Sequence, residues 1–181
     1  MKNVTTKRVV MNGLMIALVF LATYFTRIPT PLPGGYFNLG DSVIMIAAIL
    51  LGRRTGLVAG AIGSCLADIV FGSFLFAPFT LVVKGLEGYT TGLIAGSDPS
   101  ARGIQTARSI VAVVVGAIVM AGGYFFSEAF LLGFFNSAFG LTAAVAELPA
   151  NLVQGALGAV TGYVISVLLV RLNVKAYLAR A

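Results

Sequence analysis

Residues 41–71 read DSVIMIAAILLGRRTGLVAGAIGSCLADIVF. A nearly unbroken apolar run ends at Leu51, a basic turn Gly52-Arg53-Arg54 follows, and a second apolar run covers about Thr55 to Phe71. Two such runs joined by a short basic turn read as two membrane helices folding back on one another, with the arginines held at one surface. In the second run Gly56, Gly60 and Ser64 recur every four residues, and the same helical face reaches Asp68. Small residues let helix backbones approach closely, whereas a carboxylate inside a membrane helix is costly. One stripe therefore carries packing at one end and chemistry at the other.

The rest of the chain follows this pattern. Of 181 residues, 59% are apolar and only 10% charged, and mean hydropathy is +1.00. A water-soluble domain carries about a quarter charged residues, so this chain lacks the polar surface to face water all round. Four more apolar segments run from about Val9 to Phe25, Phe76 to Ala95, Ala107 to Phe126 and Leu141 to Leu172. The expected fold is one all-α integral membrane domain over 1–181 with six transmembrane helices. Outer loops are expected at about 27–40, 72–75 and 127–140. The first holds Pro29, Pro31, Pro33, Gly34 and Gly35 and excludes regular helix. The third is apolar but broken by Gly133, Asn136 and Gly140; it suits a surface segment or a cap over a cavity. No cleavable signal is expected, since the first apolar run is long enough to span and continues into Arg27-Ile28-Pro29.

The net charge of +6 is distributed as membrane topology, which argues against nucleic acid. With the N-terminus cytoplasmic, the inner side receives Lys2, Lys7, Arg8, Arg53, Arg54, Arg102, Arg108, Arg171, Lys175 and Arg180, and the outer side Arg27 alone. The positive-inside rule then puts both termini in the cytoplasm and makes the number of spans even.

Several polar groups stand where lipid would exclude them. Asp68 falls near the outer end of the third span. Lys84 and Glu87 share a face of the fourth. Glu147, Asn151 and Gln154 share a face of the sixth, around Pro149, which is expected to distort the backbone locally. Lys84 can neutralise Glu87 or pair with Asp68. The sixth-helix stripe, with both carboxylate and amide chemistry, suits a hydrogen-bonding ligand site in the outer half. Asn38 and Asp41, ending the first loop, and Glu128, opening the third, can reach the same place. Tyr36, Phe37, Phe74, Phe79, Tyr124, Phe125, Phe126, Phe130, Phe134, Phe135 and Phe139 gather at the outer ends; such rings form an interfacial belt or wall a pocket. Gly13 and Ala17, four apart on the first helix, suit close packing against another helix, inside the chain or in a partner.

No histidine is present and cysteine occurs once, at Cys65. This removes internal disulfides, most zinc sites and Ser–His catalysis. Neither metal nor cofactor is expected. No GxxxxGK[ST], GxSxG or HExxH pattern occurs, so the chain is not expected to hydrolyse ATP or to be an enzyme.

Taken in order, Asn38-Leu39-Gly40-Asp41 after the Pro/Gly loop, the Gly56–Asp68 stripe, Lys84-Gly85-Leu86-Glu87-Gly88 and Glu147-Leu148-Pro149-Ala150-Asn151-xx-Gln154 resemble the substrate-binding S-components of energy-coupling factor (ECF) vitamin transporters. The branch is the one associated with pyridoxine, hydroxymethylpyrimidine or cobalamin. The resemblance implies capture of a micronutrient at the outer face of a prokaryotic plasma membrane. Delivery follows docking on a membrane scaffold (T) subunit driven by two cytoplasmic ATPases. Its site would be Asn38, Asp68, Lys84, Glu87, Tyr124, Glu128, Glu147, Asn151 and Gln154. The gating loop would comprise Pro31, Pro33, Gly34, Gly35, Tyr36 and Phe37. Gly13 and Ala17 would meet the scaffold, although this face departs from the family's strict AxxxA. A compact ring such as pyridoxine or hydroxymethylpyrimidine is slightly favoured over cobalamin. The alternatives are an independent small secondary transporter or channel, and an intramembrane enzyme using Asp68, Glu128 or Glu147.

Overall fold

The computed structural model describes residues 6–30, 36–96 and 106–172. Six α-helices form the body: α1 (Thr6–Phe25), α2 (Gly40–Leu51), α3 (Arg53–Val70), α4 (Ala77–Ala95), α5 (Thr106–Phe126) and α6 (Leu141–Arg171). A two-stranded antiparallel ribbon, β1 (Ile28–Pro29) with β2 (Tyr36–Phe37), lies between α1 and α2. Pro31, Pro33, Gly34 and Gly35 lie outside the described residues, as do Lys2, Arg102, Lys175 and Arg180. Arg8–Phe25, Thr106–Phe134 and Leu141–Arg171 are long and apolar enough to cross a membrane. By contrast α2 has only 12 residues, about 18 Å of helix. Two arginines start α3, and α4 carries a buried ion pair.

The turn between α2 and α3 is tighter than the sequence suggests. Gly52 alone makes it, at φ 96°, and both arginines enter α3. Only glycine adopts such a backbone without strain. At Pro149 the expected distortion does not break the helix: α6 runs through it for 31 residues. A proline removes one N–H, which a helix held by neighbours on either side tolerates.

The centre of the bundle is α2, which packs on α1, α3, α4 and α6, while α3 lies between α1 and α4, and α5 between α4 and α6. Backbones meet along the α3–α4 seam. A Cβ on Gly56 would come within 2.5 Å of the Gly88 carbonyl oxygen, and one on Gly60 would strike the Lys84 carbonyl. A Cβ on Gly92 would reach 2.5 Å from Arg53 Cα. Gly158 and Gly162 of α6 admit Asp41, Ser42 and Met45 of α2 in the same way.

Polarity is inverted relative to a soluble protein. Leu14, Leu18, Ile118, Val160 and Leu168 face outward, and Asp41, Asp68, Lys84, Glu87, Glu128 and Glu147 are buried. Such an arrangement belongs in lipid. The basic residues gather at one end: Asn12 meets Thr55 at 2.9 Å, Arg53 stacks on Tyr89, and Arg108 donates to the Ile94 carbonyl. Arg27 lies at the opposite end, beside the ribbon.

Candidate functional site

A cavity opens at the end where α1, α3 and α5 finish and α4 and α6 begin. Each of these elements contributes because each carries polar residues in the half nearest this end. Thr23 comes from α1, Tyr36 and Asn38 from the ribbon and the entry to α2, and Ser64 and Asp68 from α3. Phe76, Thr80 and Lys84 follow from α4, Tyr124 from α5, and Glu147, Asn151 and Gln154 from α6. Glu128 arrives differently. Beyond Phe126 the helix widens into a π turn, Ser127–Leu131, which buries Glu128 and turns Phe130 outward. Such widened turns recur at functional sites because they re-aim one side chain.

Below the cavity lies a buried charge cluster. Lys84 Nζ pairs with Asp41 and, at 3.2 Å, with Glu87. Gln154 Nε2 donates to the other Asp41 oxygen at 2.9 Å. Lys84 thus pairs with Glu87, one of the two partners expected, and with Asp41, which was not expected; Asp68 takes a different partner. Glu87 sits fully buried behind Lys84 and does not line the cavity.

At the rim the Tyr36 hydroxyl donates to Asp68. Burial pushes the Tyr36 phenol far up, and the Asp68 charge adds to this, so Tyr36 keeps its proton. The Arg27 guanidinium stacks on Tyr36 at 4.4 Å and on Phe71 at 4.1 Å, and Tyr24 stacks on the same Phe71 at 4.8 Å. Phe37 pairs with Ile28 in the ribbon and does not line the cavity.

Five side chains on the cavity wall keep a buried polar atom without a hydrogen-bond partner among the described residues: Thr23 Oγ1, Ser64 Oγ, Asp68 Oδ2, Glu128 Oε2 and Asn151 Nδ2. A buried polar group left unpaired costs about 1–3 kcal/mol, so their convergence on one cavity marks a place built for a polar guest. Glu128 and Glu147 lie within electrostatic reach of each other. Their shared corner favours a guest rich in N–H or O–H donors.

Of the nine expected site residues, eight line this cavity and Glu87 does not. Thr23, Phe76 and Thr80 were missed, and Ser64 was read only as a small packing residue. Phe76, Thr80 and Lys84 stand four apart on one face of α4, a spacing that could have found them. The segment 127–140 is divided between buried and exposed residues. Glu128, Leu132 and Phe139 cap the interior, with Phe139 edge-on to Phe76 at 5.4 Å, while Phe134 and Phe135 are 85% and 72% exposed. Of the outer aromatics, Tyr36 and Tyr124 wall the cavity, and Phe74, Phe126 and Phe130 face outward. On α1, Gly13 and Ala17 are exposed, and a Cβ on Gly13 would meet nothing within 4 Å.

Comparison with known proteins places this geometry in a family. Residues 3–171 match the model of the ECF-type riboflavin transporter, S component. An uncharacterised protein of Pyrococcus woesei is 38% identical over 80% of this chain and 88% of its own length. The thiamine precursor transporter HmpT of Lactococcus lactis is 27% identical over 96% of this chain and 94% of its own. A solved structure of the S component of a bacterial ECF transporter superposes with a TM-score of 0.65 at 19% identity, covering 94% of this chain and 97% of that one. At that identity the likeness is one of fold.

Proposed function

The chain belongs to the family of ECF-type riboflavin transporter S components, and on that premise we propose that it captures a compact, donor-rich vitamin precursor in the outer cavity. A pyrimidine or pyridine bearing hydroxymethyl and amino groups fits best, and hydroxymethylpyrimidine is the favoured compound. The observation that carries this reading is the unpaired set on the cavity wall. Asp68 Oδ2 accepts, Asn151 Nδ2 needs an acceptor, and Glu128, Thr23 and Ser64 take either. An aminopyrimidine supplies an amino donor, ring-nitrogen acceptors and a hydroxyl at separate corners of one small ring. The Tyr124 and Phe76 rings offer apolar surface to its faces.

Similarity to a relative named as a thiamine precursor transporter favours hydroxymethylpyrimidine over pyridoxine.

The same reading extends to the assembly. All six helices cross the plasma membrane of a prokaryote, with both termini in the cytoplasm and the cavity outside. The segment from Pro31 to Phe37 gates the cavity. Gly13 and Ala17 of α1 dock on a scaffold subunit energised by two ATPases. The distribution of arginines between the two ends supports the orientation.

The test is equilibrium binding to the purified chain in detergent, with hydroxymethylpyrimidine, pyridoxine, riboflavin and cobalamin as the panel. Saturable binding of hydroxymethylpyrimidine, tighter than the other three, is the expected result. Preference for cobalamin or riboflavin would overturn the substrate assignment. Uptake into liposomes by the chain alone would overturn the dependence on partners.

A further inference from the structure

The three polar residues of the α6 face do not share one task, and we infer that Gln154 is a positioning residue that fastens the end of the gating segment to the charge cluster beneath the cavity. The inference rests on the capture reading above but concerns a different job within it. Gln154 Oε1 accepts from the Asn38 backbone N–H at 2.9 Å and from Asn38 Nδ2 at 3.4 Å. Its Nε2 donates to Asp41 Oδ2 at 2.9 Å. Both acceptor directions of the amide and one of its two N–H groups are thus used within the chain. Asn151, one turn earlier on the same face, keeps Nδ2 unpartnered and is free to meet a guest.

What Gln154 holds is the exit of the ribbon. Asn38 follows β2 directly, and its Oδ1 accepts the Gly40 N–H at 2.8 Å, starting α2. Through Gln154 this corner is tied to Asp41, and through Asp41 to Lys84 on α4. The chain of contacts joins the ribbon, α6, α2 and α4, all of them buried. Hydrogen bonds to charged groups in such surroundings are strong and directional. The position of Asn38 is therefore set by Gln154, which acts on the ligand through the loop it holds.

This assignment can be inverted chemically. Gln154→Glu alone sets a new carboxylate against Asp41 and breaks the link. Gln154→Glu combined with Asp41→Asn restores it with the donor and acceptor exchanged, because an amide at 41 donates to the carboxylate at 154. The total charge is unchanged. Two readouts are needed: backbone amide exchange at Asn38 in the ligand-free chain, and affinity for hydroxymethylpyrimidine. The single variant is expected to speed exchange and weaken binding about tenfold or more, and the pair to recover both to within about threefold. Gln154→Met serves if the single charge variant does not fold; it keeps the volume and should show the same two losses.

Unaltered exchange at Asn38 in Gln154→Met, which offers no oxygen to the Asn38 N–H, would overturn the inference. So would a double variant that recovers exchange but not affinity, since Gln154 would then touch the ligand itself. If exchange follows the swap while the native chain binds no member of the panel, the positioning role stands and the substrate reading fails.

Discussion

The arginine-bearing and cavity-bearing halves of the α3–α4 pair are built on one register by opposite means. Gly56 faces Gly88, Gly60 faces the Lys84 backbone, and Gly92 faces the start of α3. The four-residue stripe on α3 continues outward to Ser64 and Asp68, and that on α4 to Thr80 and Phe76. Below Lys84 the stripes are glycine and the backbones touch. Above it they carry side chains, and all four line the cavity. The lesson is that the cavity begins where the glycines stop. Lys84 stands at the boundary, its backbone packed against Gly60 and its ammonium under the pocket.

The strongest way to break this comparison is at that boundary. Lys84→Met leaves Asp41 and Glu87 buried without their cation. Removing one partner of a buried ion pair typically costs about 3–5 kcal/mol, so thermal unfolding in detergent should show the largest loss of stability of any single change considered. Lys84→Met with Asp41→Asn and Glu87→Gln should regain most of it, because no net buried charge remains. A Lys84→Met protein that melts with the native chain would mean that the cluster carries no stability.

The seam gives the next largest effect. Gly88→Val brings a branched side chain against the Gly56 carbonyl, which is backbone and cannot rotate away. Overpacking of this kind costs about 1–3 kcal/mol. Size-exclusion and melting curves should report a destabilised chain whose residual folded fraction binds ligand normally. If affinity fell as steeply as stability, the two halves would not be separable.

On the cavity side the expectation reverses. Asn151→Ala removes an unpartnered donor and should leave melting unchanged while weakening binding of hydroxymethylpyrimidine about tenfold, the worth of roughly one buried hydrogen bond. Undiminished affinity in a folded Asn151→Ala protein would remove this residue from the site.

How much of this contrast could be read from the sequence depends on the range of the interactions. Helix positions followed from apolar runs, and six were found within a few residues of their observed ends. Charges that lipid would exclude pointed to the cavity, and Asp68 and Glu147, with Asn151 on the same face, reached it because short-range periodicity sets helix faces. What sequence could not supply was which polar atoms the chain consumes for itself. Lys84 finds Asp41 from 43 positions away and Asn38 finds Gln154 from 116, and no local spacing encodes such pairings. The π turn at Ser127–Leu131 was equally hidden, since one extra residue in a helical turn leaves no compositional mark. Thr23 gave no signal either, being a single hydroxyl after the apolar run Leu14–Ala22.

The smallest effect on the isolated chain is expected on α1, where it sharpens the comparison by separating glycine that packs internally from glycine that waits for a partner. Gly13 and Gly56 look alike in sequence, each four residues before another small residue. Around Gly56 a Cβ has no room; around Gly13 it meets nothing. Gly13→Leu and Ala17→Leu should therefore leave both melting and ligand affinity unchanged. Uptake by the complete transporter in vesicles should fall, because bulk on this face holds an approaching helix away. Reduced stability of the isolated chain would make the face internal, against the open space seen there. Normal uptake with normal binding would move the docking surface off α1 altogether, and the glycine there would then be only a tolerated residue on a lipid-facing helix.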